Sequence, residues 1–107
     1  VEDDEGVRQL VVEVLRDLGY RVTEADSAEE AWGLIAAGLV PDLLVTDHLM
    51  PGRTGTELAR DVLARLPEVR VLIVSGYAEA EEIAPDLPRL TKPFRQADLA
   101  ASIADGG

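Results

Sequence analysis

No cysteine occurs in the 107 residues, which excludes disulfides, thiolate catalysis and cysteine-based zinc sites. Basic residues are few: ten Lys and Arg stand against 21 Asp and Glu, and Lys92 is the only lysine. A formal net charge of −11 argues against direct nucleic-acid binding, because phosphate backbones demand clustered Lys and Arg. No apolar run approaches the roughly 20 residues of a membrane span, and no basic-plus-apolar signal peptide opens the chain. These absences fit a reducing cytoplasm. Aromatic residues are scarce, and Trp32 and Tyr20 are expected to pack rather than to stack on a ligand. There are no internal repeats, low-complexity tracts or linkers. Residues 1–107 therefore read as one domain, large enough for a core without a disulfide or structural metal. The chain opens at Val1-Glu2-Asp3 without Met and reads as a fragment.

What is present centres on Leu43-Leu44-Val45-Thr46-Asp47 and the following His48-Leu49-Met50-Pro51-Gly52-Arg53-Thr54-Gly55. An apolar run of this length predicts a strand buried on both faces. It ends on a carboxylate. The glycines and proline then turn the chain, and Thr54 with Glu57 forms a capping-box start for a helix.

Elsewhere the pattern alternates. Val1 to Glu5 reads as the end of a truncated strand leading into a loop. Val7, Leu10, Val11, Val14, Leu15 and Leu18 recur at three and four, a helical stripe stopped by Gly19. Tyr20 to Thr23 alternates like a short strand, and Ser27-Ala28-Glu29-Glu30 is a second capping box, opening a helix to Gly38. After the central strand comes a helix from about Thr54 to Leu66, then a strand over Val69–Val74 ending at Ser75-Gly76. From Tyr77 to Leu87 the signal is weak, and a stunted or mobile fourth helix is expected from Glu79 to Leu87. A short strand around Leu90 ends at Lys92, and a last helix turns Leu99 and Ile103 inward. Five alternations predict an α/β, doubly wound, flavodoxin-like parallel sheet in the order 2-1-3-4-5, with a truncated first strand and a shortened fourth helix.

In such a sheet, ligands bind outside the carboxyl ends of the strands. Those ends carry Glu2 and Asp3, then Asp47, Ser75 and Lys92. Clustered carboxylates repel one another unless a cation binds them, and oxygen ligands with room for water suit Mg²⁺. A carboxylate beside Mg²⁺, a lysine and a hydroxyl is equipped to accept a phosphoryl group.

The acidic run Glu2-Asp3-Asp4, Asp47 with Met50-Pro51-Gly52 and Gly55, Ser75-Gly76, and Lys92-Pro93-Phe94 resemble the CheY-like receiver domains of two-component response regulators. The likeness runs end to end apart from the start of the first strand. It implies that Asp47 takes a phosphoryl group from phosphohistidine on a histidine kinase or histidine phosphotransfer protein. It implies Asp3, Asp47 and the backbone carbonyl of Leu49 as Mg²⁺ ligands, with Glu2 orienting a metal-bound water. Ser75 and Lys92 would contact phosphoryl oxygens, and a cis bond is expected before Pro93. Arg8 and Val12, exposed on the first helix, together with Pro93 and Phe94, would dock the partner. No direct membrane or nucleic-acid partner is implied.

Two positions depart from the pattern. Receivers commonly carry Tyr or Phe three residues before the lysine, as a ring that turns inward with the Ser/Thr switch; here that residue is Arg89. An arginine cannot enter an apolar slot cheaply. The Ser75-to-Lys92 connection is also short. Both features resemble receivers at the carboxyl end of hybrid histidine kinases. Leu49 and Tyr77, each two residues past a site residue, are expected to slow hydrolysis of the aspartyl phosphate, and His48 is expected to be a loop-flank neighbour rather than a ligand. The reading is a phosphoacceptor receiver of a phosphorelay, not an enzyme with an independent substrate. Two rival readings stand beside it. A degenerate receiver would serve only as an interaction module. An Mg²⁺-dependent phosphohydrolase with an Asp nucleophile would need a second acid where Leu49 stands.

Overall fold

The computed structural model describes residues 1–2, 4–48, 50, 52–76, 88–92 and 94–105. Their elements, in chain order, are α1 (Glu5–Asp17), α2 (Ala28–Ala36), β1 (Leu43–Asp47), α3 (Gly55–Arg65), β2 (Arg70–Ser75), β3 (Arg89–Thr91) and α4 (Gln96–Asp105).

The strands pair in parallel in the order β1-β2-β3, with Asp47 opposite Val74 and Ser75 opposite Thr91. The sheet continues past β1. The Val1 nitrogen donates to the Val45 carbonyl, and the Asp47 N–H donates to the Val1 carbonyl at 2.9 Å. These are the two bonds of a parallel rung. On the far side the Glu2 N–H reaches the Ala25 carbonyl at 3.0 Å. Among the described residues Val1–Glu2 therefore lies between Ala25 and β1, and the regular sheet has three strands, β1-β2-β3, where five were expected. Tyr20–Thr23 forms no regular strand. Between that segment and β1 lies a slot of about 680 Å³, lined by Val11, Leu15, Val22, Ile35 and Leu44 among others. The weak fourth helix expected at Glu79–Leu87 lies outside the described residues.

Side-chain alternation divides the core. Leu44, Val71 and Ile73 face α2 and α3, packing with Ala31, Ile35, Leu58, Ala59 and Val62. Val45, Leu72 and Val74 face α1 and α4, packing with Val14, Leu15, Leu99 and Ile103. Strands covered on both faces explain why β1 and β2 read as unbroken apolar runs.

Local signals set the helix ends. Asp4 caps α1 by accepting the Val7 N–H at 3.1 Å. Gly19, at φ +94°, ends that helix in a Schellman turn, with its own N–H on Arg16 and that of Tyr20 on Leu15. Thr54 and Glu57 complete a reciprocal capping box on α3. On α2 only half of the expected box forms. Ser27 accepts the Glu30 N–H, while the Glu30 carboxylate takes the N–H of Asp26, one residue early. The α1 stripe also differs from the expected one, since Val12 is buried beside the slot and Leu18 is exposed at the helix end.

Candidate functional site

Asp47 ends β1, Ser75 ends β2, and Lys92 follows β3, so parallel register alone brings the three to one edge. Main-chain bonds fix that edge. The His48 N–H donates to the Val74 carbonyl at 2.8 Å, and the Lys92 N–H donates to the Ser75 carbonyl at 2.7 Å. The loop beyond Asp47 returns so tightly that the Gly55 N–H bonds the His48 carbonyl at 2.7 Å. A Cβ on Gly55 would stand 1.9 Å from the Asp47 carbonyl oxygen. Only glycine fits there.

The Lys92 ammonium bridges two buried carboxylates, at 3.2 Å from Asp47 Oδ1 and 3.5 Å from Glu2 Oε2. Burial opposes its charge, but the Asp47 and Glu2 carboxylates outweigh burial and hold Lys92 above its ordinary value. The other Glu2 oxygen accepts the Asp4 N–H at 3.1 Å. Arg8 anchors this acidic arm, donating from Nη1 to the Glu2 carbonyl at 2.9 Å and from Nε to Glu24 at 3.3 Å. Ser75 is fully buried, and its hydroxyl has no hydrogen-bond partner among the described residues. A buried hydroxyl left unpaired costs about 1–3 kcal/mol, so this one marks a place where an acceptor oxygen is wanted.

Among the described residues no group of three or more acids and histidines is arranged to hold a metal. Asp3 and Leu49, two of the four residues expected around Mg²⁺, lie outside the described residues. The two that are described fit the ion in kind. Glu2 and Asp47 present buried carboxylate oxygens to one edge, the donor type a hard cation takes. Asp4 is drawn off by its capping role, so among the described residues of this arm Glu2 is the acid at the edge.

The docking residues need correction. Val12 is buried, 7% exposed, so it offers no surface, and Arg8 is held by Glu2 and Glu24 rather than projecting free. The α1 turn that carries both packs toward the slot beside β1, so the face expected to be solvated is turned inward. Phe94 is half-buried against the Val45–Leu99 cluster, and Pro93 lies outside the described residues, as do its peptide bond and Tyr77. Arg89 opens β3 with its side chain exposed. Trp32 packs on the α2–α3 core, with the Arg65 guanidinium 6.0 Å from its ring centre. His48 flanks the loop directly after β1 and is buried, 3% exposed, with Nδ1 2.8 Å from the Thr56 hydroxyl. Sequence reasoning misses Thr56 because no period says which helix turn meets a strand end.

A family model for the response regulator receiver domain matches residues 1–104. This chain is a receiver domain. It is 36% identical over 109 residues to the two-component response regulator ORR6 of Oryza sativa, covering 94% of this chain and 64% of that protein. The sensor kinase CckA of Brucella abortus is 36% identical over 112 residues, covering 98% of this chain and 12% of that protein. The chain thus spans less than two thirds of both relatives. A response regulator receiver protein from Sinorhizobium medicae superposes with a TM-score of 0.86 at 26% identity, covering 98% of this chain and 88% of that one. The receiver belongs to two-component signal transduction, and the phosphoacceptor role is that of its family. No helix among its described residues is long and apolar enough to cross a membrane.

Proposed function

We propose that Asp47 is the phosphoacceptor and that residues 1–107 form one receiver domain in a cytoplasmic phosphorelay. The observation that carries this reading is Lys92 Nζ lying within 3.5 Å of both Asp47 and Glu2, with the Ser75 hydroxyl, unpaired among the described residues, at the neighbouring strand end. An Asp47 carboxylate oxygen attacks phosphorus of a partner's phosphohistidine. The new P–O bond forms as the P–N bond breaks, and the departing imidazole nitrogen takes a proton. Lys92 then exchanges part of its contact with Asp47 for a phosphoryl oxygen, and Ser75 donates its unused hydrogen bond to another. Mg²⁺, held by Asp3, Asp47 and the Leu49 carbonyl with Glu2 acting through water, would neutralise charge on the phosphoryl oxygens. Phosphorylation would bias two conformations of the Ser75 and Lys92 side of the sheet. With Arg89 exposed in the usual aromatic position, the movement is carried by the Ser75–Lys92 strand ends rather than by a ring.

The donor is a histidine kinase or histidine phosphotransfer domain. The match to 12% of a sensor kinase supports a place within a hybrid kinase. Intact-mass spectrometry after incubation with acetyl phosphate and Mg²⁺ tests the site. One phosphoryl adduct is expected, dependent on Mg²⁺ and absent from Asp47→Asn. A folded protein that neither binds Mg²⁺ nor takes the adduct would overturn the reading.

A further inference from the structure

The face of β1 opposite the Asp47 carboxylate carries two buried polar side chains, Thr46 and His48. Neither has a part in the chemistry above. Burying a hydroxyl and an imidazole against an apolar helix is unfavourable unless both are bonded. Both are: the Thr46 hydroxyl bonds the main chain of the proposed phosphoacceptor, and the His48 ring bonds the start of α3. The Thr46 hydroxyl donates to the Asp47 carbonyl at 3.0 Å. His48, at the end of β1, touches β2 once and α3 twice. Its N–H bonds Val74 of β2, its carbonyl takes the Gly55 N–H, and its ring meets Thr56 in the first turn of α3.

We infer that the His48–Thr56 hydrogen bond is a positioning clamp, tying the first turn of α3 to the end of β1 so that the Asp47 carboxylate is held in its attacking orientation. The inference rests on Asp47 being the phosphoacceptor. Strand side chains alternate along one backbone, so the main chain at Asp47, and with it the base of the carboxylate side chain, cannot turn without carrying Thr46 and His48 with it. The backbone bond from Gly55 fixes the approach of α3 at one point, and the ring-to-hydroxyl bond supplies a second, which removes rotation about the first. Misplacement of a reacting group by about 1 Å costs on the order of 100-fold in rate. Losing one of two tethers is therefore expected to slow phosphorylation by roughly tenfold.

Thr56→Val removes the hydroxyl at nearly constant shape, and Thr56→Ser retains it. Labelling of Asp47 by acetyl phosphate would be followed by intact mass across donor concentrations. The maximal rate of Thr56→Val should fall about tenfold while half-saturation by donor and by Mg²⁺ stays put, and Thr56→Ser should return to within about twofold of wild type. His48 is the only histidine, so ¹⁵N-histidine labelling yields a single ring spectrum. Its nitrogen shifts should change in Thr56→Val and not in Thr56→Ser. Unchanged labelling in Thr56→Val, or a loss that Thr56→Ser does not rescue, would overturn the clamp. A lowered melting temperature with wild-type labelling in the folded protein would reduce it to packing. Failure of the wild type itself to label at Asp47 would instead sink the phosphoacceptor reading, and the clamp with it.

Discussion

Replacing Gly55 by alanine sets two physical effects against each other. Gly55 is the first residue of α3, and alanine is the better helix former by about 1 kcal/mol. Local propensity alone therefore predicts a more stable protein. The tertiary contact predicts the reverse, because the added Cβ would lie 1.9 Å from the Asp47 carbonyl oxygen, 2.8 Å from its carbon and 3.0 Å from the Thr46 hydroxyl. The first two neighbours are backbone and cannot swing away, so the start of α3 must retreat by roughly 1 Å, as overpacked cores do. That movement breaks the 2.7 Å bond from the Gly55 N–H to the His48 carbonyl. Overpacking of about 1–3 kcal/mol and a lost buried hydrogen bond of about 1–3 kcal/mol outweigh the helical gain, for a net loss near 3 kcal/mol. With a urea slope of about 1–1.5 kcal/mol per molar, the midpoint should fall by roughly 2–3 M. Gly33 is the control. It sits inside α2, exposed, and a Cβ added there would meet nothing within 4 Å, so Gly33→Ala should raise stability by about 0.5–1 kcal/mol. Paired urea melts read both signs. Gly55→Ala proving as stable as wild type would refute the close approach.

Lys92→Met leaves Glu2 and Asp47 without their shared cation. Discounted for the partial exposure of Lys92, a loss of about 1–3 kcal/mol is expected at neutral pH. Because Lys92 is held above its ordinary 10.5, its contribution is complete below that pH and is lost as pH rises through the raised value. Thermal melts of the two proteins should therefore differ by a constant amount through neutral pH and converge above 10.5; a gap persisting there would contradict the ion pairing. Thr54→Ala removes the reciprocal cap of α3 and should cost about 1 kcal/mol, read as a lower urea midpoint. The Glu57 partner carboxyl is held below its ordinary 4.5 by the Thr54 backbone and side-chain bonds, so the cap's benefit should be lost as pH falls through that lowered value.

Much of this receiver is written in local patterns. Unbroken apolar runs mark β1 and β2 because strands covered on both faces need apolar residues at every position. Ser and Thr caps mark α2 and α3, because orphan helix N–H groups need an acceptor at a fixed offset. Parallel topology then puts Asp47, Ser75 and Lys92 at one edge, since every strand of such a sheet ends on the same side.

Packing settles the rest. A single-stripe reading of α1 leaves Val12 exposed, but in the fold it is buried, lining the slot together with Val11 and Leu15. Whether a helical glycine is a weakness, as at Gly33, or a necessity, as at Gly55, depends on what a Cβ would meet. The His48–Thr56 contact lies in the same class. Period two says that Thr46 and His48 share a face, and nothing in the sequence says which turn of which helix lies across from it. Local pattern is enough to name the groups that carry the proposed chemistry and the strand ends on which they stand. How those groups are held depends on distances between segments far apart in the chain, and only close packing sets such distances.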